Sequence, residues 1–227
     1  MKKNLQELIK KTSNAKELTS EQLIDCLKKC MENAEALVKT ADLLFNNKLY
    51  GPSITISVLS LEEIGKAGHA TYMLLEDKPN ELLWYLFWEK FKDHQFKIRS
   101  VIASSHATAR DLLGKPLTWQ EMIDVSPGFD KLAKKYHNNK LKGMYVDYDK
   151  NKGKFVIPKS TRQEARDYLE FAKKNLNLIA PIGKMKEEEI FKALMLSKEV
   201  FKEENKRFEI FLPEYRKNQN QIQKDNV

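Results

Sequence analysis

Glu62 and Glu63 stand four and three positions before Lys66, and on a helix those spacings bring both carboxylates within reach of the ammonium group. Their flanks, Ile56-Ser57-Val58-Leu59-Ser60-Leu61 and Ile64, are apolar, so at least one of these charges is expected to be partly buried and to need a partner. A satisfied buried network and a functional site both fit that pattern. His94 and Lys97 lie three apart further on, with Phe87, Phe91, Ile98 and Val101 in the angular sector of His94, which predicts an imidazole at an apolar seam. Opposite Glu62 or Glu63, its tautomer and protonation would be set by a carboxylate.

Arg99 and His106 are seven apart, and about 700° of helical rotation returns them to one face two turns from each other. That pairing has a rationale in RNA cleavage. Arginine holds the phosphate and stabilises its developing charge, while histidine moves protons between the ribose 2′-hydroxyl and the leaving oxygen. The other two histidines are read as non-catalytic: His69 follows Gly68, and His137 lies in the basic stretch Lys134-Lys135-Tyr136-His137-Asn138-Asn139-Lys140. HExxH, Walker, GxGxxG and GxSxG motifs are missing, and Glu62-Glu63 is not followed by the i+3 histidine of a di-iron helix, so neither metal nor cofactor is expected. Cys26 and Cys30, four apart in a helical stretch, read as core or half-buried thiols of a cytosolic protein.

These residues need helices to position them. Only 8 glycines and 7 prolines punctuate 227 residues, and Leu, Ile, Ala, Phe and Met recur between them at three-and-four spacing. Thr19 with Gln22 forms a capping box for a helix running to about Asn46, with Leu23, Leu27, Cys30, Ala34, Leu37, Ala41 and Leu44 on one stripe. Gly51-Pro52-Ser53 opens the next, to about Glu76, with Gly65 and Gly68 suggesting close approach of another helix, the more frequent cause, or of a ligand backbone. A long third helix is predicted from about Leu82 to Leu113, to pair with the second as an antiparallel hairpin. A short helix follows the capping box Thr118/Glu121, and another spans Gly128 to Lys142. Residues 144–158 read as a small β-hairpin or extended loop, Ser160 or Thr161 caps a helix through about Leu178, and a charged helix covers roughly Lys186 to Lys206. One helical domain over residues 1–213 and a polar tail over 214–227 are expected.

A composition of 41% hydrophobic and 32% charged residues excludes wholesale disorder. No uncharged stretch reaches the roughly 20 residues that cross a bilayer, and no signal peptide is recognisable, so a cytoplasmic protein without a membrane partner is expected. The net charge of +8 favours encounter with polyanions, though the lysines are interspersed and not gathered in an arm.

Three runs in order, Ser60-Leu61-Glu62-Glu63-Ile64-Gly65-Lys66-Ala67, Phe91-Lys92-Asp93-His94-Gln95-Phe96-Lys97 and Lys140-Leu141-Lys142-Gly143-Met144-Tyr145-Val146-Asp147, resemble AbiV-type abortive-infection proteins. That group is similar to the HEPN superfamily, many of whose members are metal-independent RNA-cleaving toxins of bacterial defence systems. The resemblance implies an all-α, HEPN-like antiparallel helical bundle with additional C-terminal helices, a homodimer, a role in phage defence, RNA or the translation machinery as target, and a phage-encoded activator. HEPN nucleases use an arginine and a histidine separated by four to six residues. Arg99 and His106, with six between them, meet the outer limit of that spacing, and His94 is the further catalytic candidate. The residues typical of the AbiV group, Glu62, Glu63, Gly65, Lys66, His94 and Lys97, do not coincide with that pair. The alternative is a non-catalytic helical protein that binds a phage or translation component, with Glu62, Glu63, Lys66, His94 and Lys97 as its polar network.

Overall fold

The computed structural model describes residues 15–193 and 195, apart from 77, 116, 117, 150, 152 and 158. Its elements are α1 (Ser20–Asn46), α2 (Tyr50–Leu75), α3 (Glu81–Lys92), α4 (His94–Leu112), α5 (Trp119–Lys142), β1 (Asp147–Asp149), β2 (Lys154–Val156) and α6 (Arg162–Lys184). The fold is all-α apart from one antiparallel hairpin in which Tyr148 pairs with Phe155. The chain divides at Met185, and residues 187–193, helical in backbone, belong to a second compact unit that begins at Lys186. The rest of the predicted charged helix, the boundary at residue 213 and the polar tail lie outside the described residues.

α2 is the central element, packing on α1, α4, α5 and α6. Its sequence is apolar or small on nearly every face, as a helix surrounded by others must be. On one side Leu61, Ile64, Ala67 and Met73 join Leu27, Met31, Trp84 and Phe87. On another, Ile54 and Val58 meet Ile98 and Ile102 of α4, Phe129 and Ala133 of α5, and Tyr168 of α6. The buried hydroxyls of α2 are all satisfied by carbonyls: Ser53 donates to Ala41 (2.9 Å), Thr55 to Lys140 (2.8 Å), Ser57 to Ser53 (2.8 Å) and Ser60 to Ala34 (3.1 Å). A buried hydroxyl left without such a partner would cost about 1–3 kcal/mol.

The capping boxes at Thr19/Gln22 and Thr118/Glu121 are present, and Thr161 of the predicted pair forms a third with Glu164. Three helix boundaries differ from the sequence reading. The long third helix is two helices, because Asp93 adopts an extended ψ of 105° and its carboxylate accepts the Phe96 N–H at 3.0 Å. Conversely, the two helices expected around Pro127-Gly128 are one. A proline inside a helix costs about 3 kcal/mol, and burial of Phe129 and Ala133 in the second core offsets that cost. α6 continues through Pro181 to Lys184, past the expected end at Leu178.

His69 illustrates what this packing does to a titratable group. Its ring stacks on Phe96 at 4.9 Å and its Nε2 is buried without a hydrogen-bond partner. Burial first, then the Lys90 and Lys97 charges, push its pKa down from 6.5 to about 4. The unfolded chain therefore binds a proton that the folded chain refuses, so stability is lost as pH falls from 6.5 towards 4. His69→Phe should flatten that part of the profile, measured as urea midpoint against pH. An unchanged slope would show that His69 titrates alike in both states.

Candidate functional site

α2, α4 and α5 bring one carboxylate and four cationic or imidazole side chains together. Glu62, near the middle of α2, is 3% exposed because it sits on the inward face that also carries Val58 and Leu61. One of its oxygens, Oε1, accepts from Lys140 Nζ at 2.7 Å. The other, Oε2, lies 2.6 Å from His94 Nδ1 and 3.8 Å from Lys97 Nζ. Both lysines are buried. Desolvation lowers the Lys97 pKa, and the Glu62 charge opposes that shift.

His94 departs from the apolar seam expected of it. The Asp93 break makes it the first residue of α4, and its side chain is 52% exposed even though Nδ1 reaches inward to Glu62. A carboxylate at Nδ1 fixes the tautomer and leaves Nε2 as the free nitrogen. The ring packs against that of His137 on α5, with centroids 5.9 Å apart and planes at 29°.

Glu63 and Lys66 form a separate pair at 2.7 Å, more exposed than Glu62. Lys66 also lies 5.3 Å from the Phe91 ring centroid. Cys26 and Cys30 are free thiols beside this pair. The hydrogen bond from Cys30 lowers the Cys26 pKa, with Lys66 helping, and raises that of Cys30.

Arg99 and His106 both face α5, as their spacing requires. Arg99 Nη2 donates to Ser126 Oγ at 2.6 Å, and its Nε is ion-paired with Asp130 at 2.8 Å. His106 stands edge-on to Phe129, with centroids 5.5 Å apart. The guanidinium therefore already has an anionic partner. Arg99 and His106 are about 10.5 Å apart along the axis, and they contact different residues of α5.

Two residues of the cluster were missed from the sequence: Lys140, which appeared only within a matching run, and His137, which was set aside. A signal for both was there. His94-x-x-Lys97 recurs as His137-x-x-Lys140, and the antiparallel packing of α4 and α5 makes the two turns meet: imidazole on imidazole, both ammonium groups on Glu62. Gly65 allows the approach. A Cβ there would come within 2.9 Å of the Lys97 Cα and carbonyl carbon. Gly143 does the same where α5 ends beside α2, with its Cα face against Gly51 and Thr55.

A separate cavity of about 320 Å³ opens between α1, α2, α4 and α6, lined by Leu27, Met31, Ile64, Val101 and Ile179, with Ser100, Ser104, Thr108 and Asn175 as polar groups among them. Ser105 hydrogen-bonds Asn175 at its edge. Among the described residues no group of three or more His, Cys, Asp and Glu side chains is placed to hold a metal ion, and no helix is long and apolar enough to cross a membrane.

The sequence matches the HEPN_AbiV family, described as AbiV, over residues 22–177, about two thirds of the chain. The protein belongs to the AbiV family. That span starts two residues into α1 and ends within α6, so it holds the whole Glu62 cluster and the hairpin of this AbiV-family chain. No curated protein and no solved structure gives a significant match.

Proposed function

We propose that this AbiV-family protein is a cytoplasmic abortive-infection effector that arrests host translation or growth during phage infection by metal-independent cleavage of RNA at the Glu62 cluster. The observation that carries this reading is the 2.6 Å contact between Glu62 Oε2 and His94 Nδ1, which orients a half-exposed imidazole beside the charges of Lys97 and Lys140. Such an imidazole is suited to move a proton at a ribose hydroxyl or a leaving oxygen. Two ammonium groups against one carboxylate leave local positive charge for a phosphate. Glu63 and Lys66 support the adjoining turn of α2. Arg99 and His106, the pair of the HEPN nucleases, form a second candidate on the same α4–α5 seam. Homodimerisation and a phage-encoded activator belong to this reading through the family.

The test is incubation of purified protein with total RNA or tRNA in chelator, alone and with phage lysate. Fragments with cyclic or 3′-phosphate ends are expected, lost by about 10²–10⁴-fold in His94→Ala and retained in His106→Ala. Loss in His106→Ala alone would move the chemistry to Arg99 and His106. A second reading, a non-catalytic helical protein that binds a phage or translation component, is favoured by one observation: Glu62, Lys97 and Lys140 are all buried, as a structural network would be. RNA left intact under every activating condition decides for it.

A further inference from the structure

We propose that His137 is the second proton-transfer group of this site, acting with His94 on a phosphodiester bound at the paired imidazoles. The inference deepens the nuclease reading above and rests on it for the chemistry. It begins with geometry. The two His-x-x-Lys turns are brought together by antiparallel helices, so the His137 ring lies against the His94 ring at 5.9 Å while Lys140, one turn further along α5, hydrogen-bonds Glu62 at 2.7 Å. Only one imidazole, that of His94, is bonded to the carboxylate. The Nδ1 of His137 is buried with no hydrogen-bond partner, so a polar atom at the ring pair is left with its bonding capacity unused.

The two rings are chemically unequal, which is what a two-proton reaction needs. The groups facing them are Glu62 from α2, Asp93 at the α3–α4 junction, Lys97 from α4 and Lys140 from α5. Burial, then Lys140 and His94, hold the His137 pKa below its ordinary value, with Glu62 and Asp93 opposing. That direction favours the neutral form of His137, and the proposal gives it the acceptor's part. It takes the proton from the ribose 2′-hydroxyl as that oxygen bonds to phosphorus. The bond from phosphorus to the 5′-oxygen breaks, and His94 gives that oxygen its proton. The products are a 2′,3′-cyclic phosphate and a 5′-hydroxyl, with no electron transferred and no co-reactant required. The excess positive charge of Lys97 and Lys140 over Glu62 lies beneath the rings and favours the dianionic phosphorus centre.

Two measurements on the full-length protein test this. Inorganic phosphate is titrated while the histidine ring Cε1–H signals are followed by NMR, assigned with His94→Ala and His137→Ala. The signals of His94 and His137 are expected to move with one half-saturation concentration. Movement of His94 alone, or of neither, overturns the paired site. In the RNA assay, His137→Ala is expected to lower the rate about 10²–10⁴-fold, to remove one limb of the pH–rate profile and to be partly rescued by added imidazole. A variant with the wild-type rate and profile overturns the proposal. Absence of RNA cleavage by the wild-type protein, with both rings still responding to phosphate, sinks the nuclease reading and keeps the paired anion site.

Discussion

Glu62→Ala is expected to lower the free energy of unfolding by about 3–5 kcal/mol, the cost of leaving a buried charge without its counter-ion. The size follows from the surroundings of Glu62. Two buried ammonium groups face this single carboxylate, with Lys140 at 2.7 Å and Lys97 at 3.8 Å. Removal of the carboxylate strands both lysines in a site that has already stripped them of water. Glu62→Gln keeps one oxygen as an acceptor and the side-chain volume, so it should lose less. Glu62→Ala combined with Lys140→Met should recover part of the loss, since an apolar replacement of a buried pair is often neutral. Glu63→Ala, whose partner Lys66 reaches solvent, should cost well under half as much. Urea unfolding of the four variants checks this ordering. Equal midpoints for Glu62→Ala and wild type would mean that water enters the cluster and solvates the lysines.

The second large effect concerns two glycines three residues apart, for which helix propensity alone predicts the same outcome. Replacing a mid-helix glycine by alanine should stabilise by about 1 kcal/mol. Gly68→Ala is expected to do so, because a Cβ there meets nothing within 4 Å, the residue lying at the wall of the cavity. Gly65→Ala is expected to destabilise by about 1–3 kcal/mol net, because its Cβ would run into the Lys97 backbone, which cannot swing aside as a side-chain tip can. The damage should extend to the site, since α4 can relieve the clash only by carrying His94 and Lys97 away from Glu62. A gain at both positions, read from the same unfolding curves, would show that α2 and α4 do not touch at Gly65.

Much of the bundle is visible in the chain because local signals agree with the packing. The three boxes at Thr19, Thr118 and Thr161 mark helix starts where they occur. Long-range packing and single side-chain hydrogen bonds override the pattern elsewhere. Pro127 reads as a break, but Phe129 and Ala133 hold the helix through it. Asp93 reads as one more polar residue in a periodic stretch, yet its bond to the Phe96 N–H ends α3 and turns His94 outward. That Glu62 faces α4 and α5 while Glu63 does not is a matter of about 100° of rotation on a helix that is apolar nearly all round, and nothing local fixes it. The His-x-x-Lys repeat was legible, but its meaning depends on an antiparallel register that only the fold supplies.

The span between the partners of the carboxylate has a consequence for how the protein is born. Glu62 and Lys140 are 78 positions apart, and a ribosome adds residues at about 5–20 per second, N-terminal parts first. For several seconds the emerging chain carries Glu62 without Lys140, Lys97 being the first of its two buried ammonium partners to be made. A chain interrupted before Lys140 lacks that second partner, so the cluster around Glu62 is assembled only once α5 is complete.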